Sequence, residues 1–144
     1  MSGRLFLFAA TAASVAVASV MPAAAAPASQ SSWAAQANKV CVVFLAKAKK
    51  AFGSPVTPAQ LYSFAQKAKA IESQELTTLQ QIPGRTDTGT AALNAVKVDI
   101  AEIGSAITAW NQGNAAKFVT ILKRYLNDGR PKSAFAVAGA TQCG

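Results

Sequence analysis

Residues 93–110 read LNAVKVDIAEIGSAITAW. Leu93, Val96, Ile100, Ile103, Ile107 and Trp110 recur at steps of three and four, nearly a strict heptad, so on an α-helix they form one apolar stripe. A strand would need alternation with period two, and no β-branched run elsewhere supplies it. Alanine is abundant, while glycine and proline cluster at a few points. The chain therefore reads as all-helical.

Upstream, Thr57-Pro58-Ala59-Gln60 is a capping box with proline at the first helical position. Leu61, Phe64, Ala65, Ala68, Ile71, Leu76, Leu79 and Ile82 follow as a second stripe, ended by Pro83-Gly84. Further upstream, Ser32 precedes a helix whose apolar arc holds Trp33, Ala37, Val40, Cys41, Phe44, Leu45, Ala48 and Phe52; Gly53-Ser54-Pro55 stops it. Downstream, Gln112-Gly113-Asn114 closes the heptad helix and caps a fourth, with Phe118, Val119, Leu122, Tyr125 and Leu126 facing inward. Asp128-Gly129-Arg130-Pro131 halts that one, leaving a tail with one or two more helical turns. Four stripes on short connections predict an up-down-up-down four-helix bundle with a short C-terminal tail.

The first residues carry a different message. Met1-Ser2-Gly3-Arg4 places one positive charge before an uncharged, mostly apolar run from Leu5 to Val20. That run covers about 24 Å as a helix, short of a bilayer core of about 30 Å. Met21-Pro22 then breaks it, and Ala23 to Ala26 offer small residues to a signal peptidase. The expected organisation is a signal peptide over residues 1–25, cut between Ala25 and Ala28, and one helical domain over 33–144. The expected destination is outside the cell or at its envelope, with no integral membrane segment once the leader is gone.

Cys41 and Cys143 are the only thiols of the 144-residue chain. In an oxidising compartment two such cysteines are expected to form one disulfide, intramolecular here, with an intermolecular bridge as the alternative. They cannot make a zinc site, because the chain has no histidine, and they form no Cys-x-x-Cys redox motif. The absent histidine also removes the commonest general base. No nucleophile has a recognisable partner and no glycine-rich phosphate loop is present. The chain is expected to be no enzyme and to need neither cofactor nor metal.

Two features suggest binding instead. Glu72 and Glu75 fall at about +20° and −40° from Leu61, inside the apolar arc of the second helix. A buried carboxylate costs several kcal/mol unless it is paired or hydrogen-bonded, so either these two line a pocket able to hold a cation or amine, or the bundle opens locally and each reaches water or a neighbouring Lys, Asn38 or Tyr125. Asn38 and Tyr125 are the pocket's expected neighbours. Asp99 and Glu102 lie off the seam of their own helix and are expected to point away. The second feature is charge. Fourteen basic residues against six acidic give a formal +8, or +7 once Arg4 leaves with the leader. Lys39, Lys47, Lys50, Lys123 and Arg124 are the expected basic surface, suited to anionic components of the cell envelope. Nucleic acid is not expected, since no aromatic residues alternate with the basic ones.

Several short motifs carry a resemblance. Ala37-Asn38-x-x-Cys41, Leu61-x-x-Phe64-Ala65-x-Lys67, Glu75-Leu76-x-x-Leu79-x-x-Ile82-Pro83, Gly113-Asn114 and Cys143-Gly144 stand together over residues 33 to 144. In this the chain resembles a loose group of exported helical proteins of actinobacterial type. The resemblance implies a helical bundle closed by a disulfide and, since the group has no assigned activity, no function. One proline follows Ile82 where such proteins often have two, and Gly129-Arg130-Pro131 interrupts the last helix. The expectation drawn from all this is a binding or interaction module with a basic surface at the envelope. The alternative is a small-molecule or cation carrier using the groove near Glu72 and Glu75.

Overall fold

The computed structural model describes residues 32–55 and 57–143. The expected leader and its cleavage site lie outside them. Five helices follow in order: α1 (Trp33–Ala51), α2 (Pro58–Gln80), α3 (Asp87–Asn111), α4 (Ala115–Leu126) and α5 (Arg130–Val137). None is long and apolar enough to cross a membrane.

Local chemistry accounts for the boundaries. Ser32, Thr57, Thr86 and Asn114 each accept a backbone N–H of the first turn at the N-caps of α1 to α4. At α2 the box is reciprocal: the Thr57 N–H donates to Gln60 Oε1 at 3.0 Å, and the Gln60 N–H to Thr57 Oγ1 at 3.3 Å. The end of α3 is a Schellman turn. Gly113 takes φ +74°, its N–H reaches the Trp110 carbonyl, and the Asn114 N–H reaches that of Ala109. Pro131, in the first turn of α5, cannot continue α4, because it lacks an N–H and its ring would crowd the carbonyl four residues back.

The first four helices run antiparallel to their neighbours as an up-down-up-down bundle. Phe52 near the end of α1 packs on Phe64 in the second turn of α2, with ring centroids 4.6 Å apart. Tyr62 of α2 stacks on Trp110 at the far end of α3 (5.3 Å), and Trp110 meets Phe118 of α4 edge-on (5.2 Å). The fourth arm is made in two pieces. After α4 stops, α5 continues along α3, and Phe135 faces Trp33 across 6.5 Å. The expected tail of one or two turns is this eight-residue helix. It ends in a second Schellman turn at Gly139 (φ +80°), which sends residues 140–143 back toward α1. There Cys143 joins Cys41, with Cα atoms 5.0 Å apart, and the Gln142 N–H donates to Asn38 Oδ1 at 2.8 Å.

Two apolar cores result. One gathers Trp33, Ala37, Leu79, Leu93, Phe135 and the disulfide. The other gathers Ala65, Ala68, Ile103, Phe118, Ile121 and Leu122. Helix α3 serves both because it packs against α2, α4 and α5. It is consequently buried over a wide arc, which takes in Leu93, Val96 and Ile103 of the heptad seam and a second stripe including Ala92, Ala106 and Ala109. Helix α1 leans on α2 and forms no packed pair with α4. For that reason Leu45, expected in the inner arc, is 52% exposed. Leu126, also expected inside, is 55% exposed, because α4 ends there; Ile121 is buried in its stead.

Candidate functional site

Between the two cores lies a polar waist. The chain has six acidic residues in all. Glu72 and Glu75 from α2, Asp99 and Glu102 from α3, and Asp128 from the α4–α5 junction meet here, leaving only Asp87 elsewhere. In a chain with a formal charge of +8 this is a strong local reversal of sign.

Asp99 and Glu102 correct the expectation that they point away. Each is 7% exposed. They lie off the heptad seam, but on a stripe that α4, α5 and their junction cover through Arg124, Asp128 and Arg130. One-helix periodicity could not show that α3 is central. Their charge is partly answered by two arginines. Arg124 ion-pairs with Glu102; Arg130 pairs with Asp128, stands 3.6 Å from Glu102 and 4.0 Å from Asp99. The Arg130 N–H also donates to Asp128 Oδ1 at 2.9 Å, and these bonds hold the Asp128 carboxyl down at about 2. One oxygen each from Asp99, Glu102 and Asp128 lies within 4.8 Å of the others. The guanidinium of Arg130 among them makes this an ion-pair cluster.

Glu72 and Glu75 have no such relief. Among the described residues no Lys or Arg comes within 4.0 Å of either. Tyr125 donates its hydroxyl to Glu72 Oε1, while Glu72 Oε2 is buried without a hydrogen-bond partner. Burial pushes the Glu72 carboxyl up, against the lowering by Tyr125. Burial, then the neighbouring Glu72, raises Glu75 to about 7. Burial and the adjacent Asp128 raise Asp99 to about 7, with its Oδ1 also buried and unbonded. The Tyr125 hydroxyl is pushed up by its own burial and by Glu72, so it remains a donor.

A cleft of about 300 Å³ opens onto these groups. Glu72, Glu75, Asp99, Tyr125, Asp128 and one cation, Lys132, form its polar side, and Val96, Leu126, Pro131 and Phe135 its apolar side. The break enforced by Gly129 and Pro131 leaves it open, since a continuous fourth helix would cover this stretch. A second hollow of about 150 Å³ runs between α1 and α2 and shares Glu72 and Glu75 as a common wall.

The four residues expected to line a pocket are thus divided. Glu72, Glu75 and Tyr125 come together. Asn38 does not line the cleft; its side chain holds the tail through Gln142. The expected basic surface is divided as well. Lys39, Lys47 and Lys50 lie on α1, whereas Lys123 and Arg124 lie on α4, which does not pack beside it. Arg124 turns to Glu102, and Lys47 donates to Gln74.

Fold and site define a small disulfide-closed helical bundle with an acidic cleft at its waist. No family model, no curated protein and no solved structure matches the chain.

Proposed function

We propose that the protein is an exported, non-catalytic binding protein whose ligand is a small organic amine held in the waist cleft. The supporting observation is the pair Glu72 and Glu75, which no Lys or Arg of the described residues approaches within 4.0 Å, with a buried oxygen of Glu72 lacking a hydrogen-bond partner. An ammonium group supplies several donors and a positive charge to such oxygens, and a charge-assisted bond is about twice as strong as a neutral one. The apolar wall of Val96, Leu126 and Phe135 favours an organic cation over a metal ion, which takes an all-oxygen shell. Butylamine should raise the melting temperature above pH 7, where the carboxyls ionise. Isosteric butanol should not, and the Glu72→Gln/Glu75→Gln variant should lose the response. Equal shifts with amine and alcohol, or none with either, would overturn the reading.

A second reading, contact with an anionic envelope surface, draws on the outer face of α1. At 100° per residue Lys39, Val42, Val43, Ala46, Lys49 and Lys50 share one arc. Val42 and Val43 are 51% and 64% exposed, and the helix has four lysines and no acid. Lysine stems flanking small apolar side chains suit a headgroup layer. Vesicles containing anionic lipid should sediment the protein at low salt and release it as salt rises. Sedimentation with neutral vesicles alone would contradict this reading.

A further inference from the structure

The groove between α1 and α2 is apolar where it leaves the carboxylates. Phe44, Leu45, Ala48 and Phe52 of α1 and Ala68 and Ile71 of α2 line it. One end is closed by the disulfide-tethered tail at Gln142, and Glu72 and Glu75 stand at the wall shared with the waist cleft. In a fully closed bundle a fourth helix would fill this gap. Here α4 does not pack on α1, and Leu45 is left half exposed over the groove. Lys47 of α1 is engaged by Gln74 and lies over the Phe44 ring at 5.5 Å, while Lys132 lines the waist-cleft side of the shared wall without pairing with either carboxylate within 4.0 Å.

We infer that the ligand is an amphipathic primary amine, its ammonium at Glu72 and Glu75 and its aliphatic chain along the α1–α2 groove. This rests on the amine reading of the waist cleft and adds the chemistry of the rest of the molecule. The sign of charge at the groove's end selects an amine over a fatty acid. The aliphatic lining selects a hydrocarbon chain over a polar one, since each methylene taken from water adds to affinity.

The test is a titration of the folded, oxidised protein with butylamine, hexylamine, octylamine and octanoate by calorimetry at pH 8. Affinity should rise about twofold to fourfold per added methylene until the groove is filled, and octanoate should bind far more weakly than octylamine. Ala48→Phe, which fills the groove, should abolish the chain-length dependence. Leu45→Ser, at a half-exposed position that the fold does not need, should reduce the gain for octylamine in the same direction. If all three amines bind equally well and Glu72→Gln/Glu75→Gln still removes binding, the groove assignment is overturned and the cleft reading stands. If no amine binds, both fall. Equal binding of octanoate would also overturn the assignment.

Discussion

Replacing both cysteines, as Cys41→Ala with Cys143→Ala, should lower stability by about 4–5 kcal/mol. The bridge spans 102 residues, and in the chain-entropy model closing a loop of about 100 residues restricts the unfolded chain by that amount. For a domain of this size the melting temperature should fall by about 15–20 °C. Native contacts add to the loss. Cys41 and Cys143 are 1% and 2% exposed, so truncation leaves space in the core built on Trp33, Leu79 and Phe135. The last turn before Cys143 and the eight residues of α5 are too short to persist as an isolated helix, and depend on docking against α1 and α3. Thermal and urea unfolding of oxidised protein and double variant will check this. A difference of only a few degrees would mean that the contacts of α5 and Asn38 hold the tail without the staple.

The second large effect is a loss of stability with rising pH, the reverse of ordinary acid denaturation. The unfolded chain releases the Glu75 proton near 4.5, while the folded protein keeps it until about 7. For Asp99 the corresponding values are 3.8 and about 7. Between about pH 4 and 7 the folded state therefore binds more protons than the unfolded state, and stability falls as pH rises through that window, flattening above it. Glu75 alone corresponds to about 3 kcal/mol across the window, by the free-energy equivalent of its shift. The groups that set this balance are Glu72 on the same helix, Asp99 and Tyr125 from α3 and α4, and Asp128 with Arg130 at the junction. Asp128 works in the opposite sense, its stabilising contribution disappearing only as pH falls toward about 2. Glu75→Gln should flatten the profile and leave the variant more stable than the parent at pH 8. Chemical denaturation at pH 5 and pH 8 measures this directly; an unchanged slope in the variant would show that Glu75 ionises freely. A bound amine should restore stability at the alkaline end, by favouring the ionised carboxyls.

Much of the helical layout was legible because it is written in local chemistry. Thr57, Pro58 and Gln60 specify the start of α2 whatever surrounds them, and Gly113 specifies the end of α3 by a backbone angle that other residues rarely adopt. The site was legible only in part. Glu72 and Glu75 stood out because a carboxylate on an apolar arc contradicts its own helix. Asp99 and Glu102 raised no such signal, as residues off a single seam look solvent-facing until a second helix covers them. Asn38 was expected beside Glu72 and Glu75, yet its side chain holds the returning tail, whose path depends on the turn at Gly139.

The sequence by itself determined helix content, most helix ends and the antiparallel order, because caps, breakers and periodicity act without regard to distant neighbours; two thiols made a disulfide expected, and the structure placed it within one chain. The tertiary structure alone decided that α3 is buried over a wide arc, that the fourth arm breaks over the waist, and that five carboxyls from three regions of the chain converge there. Convergence depends on how helices pack and where a proline interrupts one of them, and those are properties of pairs of elements rather than of any single stretch.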